Sequence, residues 1–121
     1  MSVWQQVTST ENQIWLIGVR GRLDQNLTPQ LENNLNTLLA DGVQFLVVDL
    51  DEVTYINSGG LRCLVSGWRK CKRQDGNLVL CNLNGRLREI FIMVGFDNVF
   101  DIYPTRQEAQ QAILAAAEER D

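Results

Sequence analysis

Ser58 stands directly ahead of two glycines in the stretch Asn57-Ser58-Gly59-Gly60-Leu61, and three carboxylates, Asp49, Asp51 and Glu52, lie shortly before it. A hydroxyl followed by residues without side chains can be approached closely by a second molecule. If such a serine also starts a helix, unpaired backbone N–H groups and the positive end of the helix dipole surround it, so an oxygen or an anion held there is favoured. Two readings follow. Ser58 is a helix cap that binds nothing further, or it accepts a phosphoryl group from another protein's kinase, which adds about −1.5 to −2 charges and three acceptor oxygens. Glycine in the first helical turn costs about 0.5–1 kcal/mol relative to alanine, so the pair points to a surface kept open for something other than helix stability. The carboxylates have oxygens that suit magnesium, but acidic residues after a strand are more often solvated loop residues, and that is the reading adopted for them.

The remaining inventory narrows the chemistry. The chain has no histidine, so serine–histidine–aspartate, cysteine–histidine and histidine-based zinc sites fail for want of residues. Cys63, Cys71 and Cys81 are odd in number and without Cys-x-x-Cys spacing. Cys63 and Cys71 fall in one expected helix about 12 Å apart along its axis, too far to bridge, and all three read as small residues of a reducing cytosol. The formal net charge of −4 argues against bulk nucleic-acid binding and for a protein partner. With 45% apolar and 21% charged residues in 121, the composition is that of one domain with a real core. Neither a leader pattern nor an apolar run long enough to span a bilayer is visible, and a cytoplasmic location is expected. No cofactor, metal site or enzymatic activity of the chain's own is expected from this inventory.

The elements that position Ser58 are read from periodicity. Residues 3–8 and 13–20 predict a hairpin around Ser9-Thr10-Glu11-Asn12, with Gly21-Arg22-Leu23-Asp24 breaking the second strand. Thr28 and Pro29 predict a capped helix start, and Leu31, Leu35, Leu38 and Leu39 form a stripe that Gly42 closes. Residues 44–50 predict a central strand covered on both faces, leading into a loop that presents Ser58. Leu61, Leu64, Val65 and Trp68 mark one side of the next helix, with Arg62, Arg69 and Arg73 on a flank. A strand over 78–81 follows, then a helix introduced by Asn84 and Gly85 with Leu87, Ile90, Phe91 and Val94 inward. Gly95 is read as its C-terminal cap, with Phe96 as the accompanying apolar contact. A strand over 99–103 precedes a last helix opened by the capping box Thr105-Arg106-Gln107-Glu108, with Ala109, Ala112, Ile113 and Ala116 as its apolar face. Residues 118–121 are expected to fray. The alternation predicts an α/β domain with a mixed, mostly parallel sheet. A phosphate-accepting receiver domain is disfavoured, because the early strands end in Arg20-Gly21-Arg22 rather than an acidic pair and no lysine follows residues 99–103.

Gly21-Arg22-Leu23-Asp24, Phe45-Leu46-Val47-Val48-Asp49-Leu50, the stretch from Val53 to Leu61, and Gly76-Asn77-Leu78-Val79-Leu80-Cys81 stand in the order and spacing of the anti-sigma factor antagonists, bacterial members of the STAS domain family. The resemblance covers about residues 10–115 of a single domain spanning 1–121, and it implies helices mainly on one face of the sheet. It also implies partner switching. The unphosphorylated antagonist binds an anti-sigma factor that is also a serine kinase, and the sigma factor is freed. Phosphorylation at the position of Ser58 ends the binding, and a metal-dependent PP2C-type phosphatase restores it. The surface this implies comprises Asp24, Asn57, Ser58, Gly59, Gly60 and Leu61, with Arg62 and Arg69 meeting acidic groups of the partner or forming an ordinary solvated helix face. Where the family usually reads Asp-Ser-Ser-Gly or Asp-Ser-Thr-Gly, this chain reads Asn57-Ser58-Gly59-Gly60, which keeps a capping oxygen but lacks the carboxylate and the second hydroxyl. The alternative is a STAS scaffold, or a constitutive binding module of a signalling assembly, that is not phosphorylated. The STAS domain of an anion transporter fits less well, with no membrane-spanning part attached.

Overall fold

Each apolar run and stripe becomes an element in the computed structural model, which describes residues 1–119. In chain order these are β1 (Ser2–Ser9), β2 (Ile14–Leu23), α1 (Thr28–Ala40), β3 (Phe45–Ile56), α2 (Ser58–Arg73), β4 (Asn77–Cys81), α3 (Gly85–Met93), a 3-10 turn (Phe96–Asn98), β5 (Ile102–Tyr103) and α4 (Arg106–Glu118). The five strands lie side by side in sequence order, with β1 antiparallel to β2 and every later pair parallel. The α/β fold with a mixed, mostly parallel sheet is therefore as expected. Because the parallel strands are added one after another in a single direction, right-handed crossovers must place α1, α2 and α3 on the same face. Leu31, Leu35, Leu64 and Phe91 of these helices pack there against Ile17 and Val48 of the sheet, while α4 covers the opposite face with Ala109 and Ile113 on Leu16 and Val47. Residues 45–50 of β3 are buried throughout, as a strand covered on both faces must be.

The two strands that lead to Ser58 run further than their composition predicts. Rather than breaking at Gly21, β2 continues to Leu23, and β3 continues through Asp51 and Glu52 to Ile56 where a loop was expected. Each extension supplies the other's backbone partners, with Arg20 opposite Glu52, Arg22 opposite Tyr55 and Leu23 opposite Ile56. Side chains reinforce the pairing: Arg20 Nε lies 3.4 Å from a Glu52 carboxylate oxygen, and the Arg22 guanidinium sits 4.2 Å from the centre of the Tyr55 ring. Gly21, at φ +113°, marks one of two register irregularities in this pair.

Other boundaries move for local reasons. Thr28 does not cap α1; the residue before the helix is Leu27, and the Thr28 hydroxyl is buried without a hydrogen-bond partner among the described residues. Asp24 organises that turn instead, its Oδ1 accepting from the N–H groups of Asn26 at 3.0 Å and Leu27 at 3.3 Å, and its carbonyl from Thr28 at 2.9 Å. Gly42 ends α1 as predicted, at φ +89°, with its N–H on Leu39 and that of Val43 on Leu38. The last strand is shorter than the predicted 99–103, because Phe91, Phe96, Phe100 and Trp68 form an edge-to-face cluster with ring centres 6.1–6.4 Å apart that holds the preceding turn out of the sheet. Phe96 on Phe91 is the contact expected beyond Gly95. Val94 and Ala116, read as inward, are exposed, and Ala117 packs on the α4 side in place of Ala116. The fraying expected over 118–121 falls in part on residues 120 and 121, outside the described residues.

Candidate functional site

The convergence of β2 and β3 fixes where α2 begins. Leu23 ends β2, and its carbonyl oxygen accepts from the Asn57 N–H at 3.1 Å, so the single residue between β3 and α2 is tied to the neighbouring strand. Asn57 is extended, at φ −103° and ψ −179°, and its Oδ1 accepts from the Gly60 N–H at 3.0 Å. It is the N-cap. Ser58 is therefore not the cap but the first helical residue, exposed, with its hydroxyl released from local duty. Among the described residues the chain supplies no acceptor for the N–H groups of Ser58 and Gly59, which point out of the helix start as such groups do. Gly59 is half-buried, and Arg62 Nη2 lies 3.9 Å from the point where a Cβ on Gly59 would sit. A hydroxyl, two free donors and a guanidinium thus share one open corner, an arrangement that favours added negative charge.

The other expected site residues divide into those on the surface and those beneath it. Gly60 and Leu61 are buried, and a Cβ on Gly60 would meet Ile56 Cγ1 at 2.8 Å and the Leu23 carbonyl oxygen at 3.1 Å, so this glycine serves the packing of α2 on the strand ends rather than access from outside. Asp24 is partly buried and committed to the turn before α1, with Arg22 Nε 3.9 Å from its carboxylate. Arg62 and Arg69 are exposed, and together with Val65, Ser66 and Phe96 they line a groove of about 480 Å³ along the outer side of α2.

Residues 5–109 match the STAS domain family. This chain is a STAS domain. A sequence relative, BtrV of Bordetella bronchiseptica, provisionally named an anti-sigma factor antagonist, is 32% identical over 98 residues that make up 81% of this chain and 84% of BtrV. The crystal structure of an anti-sigma factor antagonist from Mycobacterium paratuberculosis superposes with a TM-score of 0.79 at 27% identity, covering 93% of this chain and 94% of the other. SpoIIAA, an anti-sigma factor antagonist solved in its unphosphorylated form, shares the fold with a TM-score of 0.81 at 16% identity, over 94% of this chain and 97% of its own.

A second polar constellation in this STAS domain lies on the other face of the sheet and was not foreseen. Asp49, read as a solvated loop residue, is only 3% exposed and sits mid-strand in β3. Its Oδ2 accepts from Arg106 Nη2 at 2.8 Å and Nε at 2.9 Å, and its Oδ1 from Asn82 Nδ2 at 3.1 Å and the Asp51 N–H at 2.9 Å. The Arg106 guanidinium lies over the Trp4 ring, 5.2 Å from its centre. Asp49 thus joins β1, β3 and the start of α4, and Glu52 faces Arg20, so these acids are occupied by cations of the chain itself. Among the described residues no three metal-binding side chains gather. All three cysteines are buried and free. Burial pushes the Cys63 thiol up to about 11, with Glu32 adding to the rise, and lifts Cys71 and Cys81 to about 12. No helix among the described residues is long and apolar enough to cross a membrane.

Proposed function

We propose that this STAS domain is an anti-sigma factor antagonist that works by partner switching. In its unphosphorylated form it binds an anti-sigma factor serine kinase in the cytoplasm and frees the sigma factor. Phosphorylation of Ser58 ends the binding, and a PP2C-type phosphatase restores it. The domain is a substrate in this cycle, contacts no nucleic acid directly and catalyses nothing itself. One observation carries the reading: Asn57 caps α2, which leaves Ser58 exposed beside two unpaired N–H groups and Arg62. A phosphoryl group there is held by its own helix start, yet it presents charge to a partner shaped for a neutral hydroxyl. The contact surface comprises Asp24, Asn57, Ser58 and Gly59, supported from beneath by Gly60 and Leu61, with Arg62 and Arg69 reaching toward acidic groups of the kinase.

Calorimetric titration of the wild type, Ser58→Ala and Ser58→Asp against the cognate kinase, with an ATP analogue and magnesium, tests the switch. Ser58→Ala is expected to bind like the wild type and to resist phosphorylation. Ser58→Asp is expected to lose several kcal/mol of binding, because it carries a charge into a contact shaped for a neutral hydroxyl and that charge must be desolvated in the complex. Equal affinity for the wild type and Ser58→Asp removes the switch and leaves a constitutive binder or scaffold in its place. Asn57 and Gly59, where the family usually has aspartate and a hydroxyl residue, favour that second reading.

A further inference from the structure

The charge of this chain is unevenly laid out. Helix α2 carries Arg62, Arg69, Lys70, Lys72 and Arg73 and no acidic residue, whereas the whole chain has 11 basic and 15 acidic side chains. Everything outside α2 therefore holds six basic against fifteen acidic residues, and α2 is a positive ridge on a negative protein. Parts of the ridge are engaged within the fold: Lys70 Nζ donates to Asn36 Oδ1 at 2.8 Å, and Lys72 lies 5.9 Å from the centre of the Trp68 ring. Arg62 and Arg69 are not; both are exposed and without an ion-pair partner among the described residues. Between them lies the groove of about 480 Å³, with Val65 and Phe96, both half-buried, as its apolar lining. Just before Phe96 the chain exposes three consecutive large apolar residues, Ile92 at 55%, Met93 at 82% and Val94 at 46%, which is unusual on a surface that meets only water.

The spacing selects the occupant. Arg62 and Arg69 are seven residues apart, two helical turns or about 10.5 Å of rise, with Val65 and Ser66 midway. A helix lying along α2 has the same repeat, so carboxylates seven residues apart on it face both arginines while an apolar residue three or four positions on enters the groove. A nucleic acid backbone has no aliphatic side chain to place between two cations, and the net charge of −4 disfavours both it and an anionic membrane surface. We propose that this groove docks an acidic amphipathic helix of a partner protein, its apolar residue against Val65 and Phe96 and its flanking carboxylates on Arg62 and Arg69. This deepens the reading above by giving the chemistry of the partner's docking element, and it rests on that reading only for the partner being a protein.

The test is an NMR titration of the ¹⁵N-labelled domain with a synthetic amphipathic helix bearing glutamates at i and i+7 around leucines at i+3 and i+4, and with an isomer bearing lysines in place of the glutamates. The acidic peptide is expected to shift resonances of residues 62–69 and Phe96, and the lysine isomer is not. The double variant Arg62→Glu/Arg69→Glu should bind the acidic peptide about tenfold more weakly, the upper range for two partly exposed ion pairs, and should gain the lysine isomer in exchange. That exchange also shows the variant to be folded. Equal binding of both isomers, shifts centred elsewhere, no shift at about 1 mM peptide, or stronger perturbation of the same residues by phosphatidylglycerol vesicles overturns the proposal. Neither kinase nor phosphate is present, so a failed Ser58 switch leaves this titration intact, and an empty groove leaves the Ser58 calorimetry intact.

Discussion

A methyl group added at Gly59 meets Asn57 Oδ1 at 3.4 Å and Arg62 Nη2 at 3.9 Å, both ordinary contacts, whereas one added at Gly60 meets Ile56 Cγ1 at 2.8 Å and the Leu23 carbonyl oxygen at 3.1 Å. The two neighbours therefore respond to the same change with opposite sign. Gly59→Ala is expected to stabilise the domain by about 0.5–1 kcal/mol through helix propensity and a less flexible unfolded chain. Gly60→Ala is expected to destabilise it by about 1–3 kcal/mol, because the strand-end carbonyl cannot move aside. Urea unfolding of both variants checks this, and stabilisation by Gly60→Ala would show that α2 is not seated on the ends of β2 and β3 as described. Sequence reasoning found the serine, the glycine pair and the capping oxygen of Asn57, because each is a property of residue type. It treated both glycines as open, since residue type alone does not tell which of two adjacent helical positions faces the sheet.

At the scale of elements, the helices and the core stripes were legible and the lengths of β2 and β3 were not. Leu31, Leu35, Leu38 and Leu39 announce α1 by their spacing, but Asp51 and Glu52 are poor strand formers that stay in β3 only because residues 20–23 run beside them. The same limit hid Asp49 and Arg106, which are 57 positions apart and have no local signal in common. Their pairing makes an unequal prediction. Arg106→Ala strips the principal cation from a carboxylate that is 3% exposed and should cost about 3 kcal/mol, lessened to the extent that Asn82 and the Asp51 N–H still bond it. Asp49→Asn removes the buried charge instead and leaves an arginine whose side chain is 44% exposed and can turn to water, so it should cost less. Thermal and urea unfolding of the two variants give the order. An Asp49→Asn cost equal to or above that of Arg106→Ala would mean that the arginine, not the aspartate, bears the desolvation.

On the scale of the whole molecule, thiols occupy both cores: Cys63 and Cys71 lie under α2 on the crossover face, and Cys81 lies against α4 on the other. Their titration thus reports on the integrity of both packed layers at once. Burial raises them from 9.0 to about 11 for Cys63 and about 12 for Cys71 and Cys81. Above about pH 9 the unfolded chain releases thiol protons that the folded chain keeps, so it binds fewer protons and stability falls as pH rises. Below that value both states keep them and the thiols contribute no slope. Burial, with Asp101 beside it, also raises Tyr103, which adds to the fall with the same sign. Urea midpoints are therefore expected to decline from about pH 9 to about pH 10.5, and the decline should be shallower in the triple variant Cys63→Ala/Cys71→Ala/Cys81→Ala, although removing three buried side chains lowers its stability at every pH. In the folded protein near pH 8 the thiols should react with a disulfide reagent only as fast as the chain opens, because the thiolate is the nucleophile and burial suppresses it. Rapid stoichiometric labelling of the native protein, or parallel pH profiles for the wild type and the triple variant, would show that at least one layer is open to water.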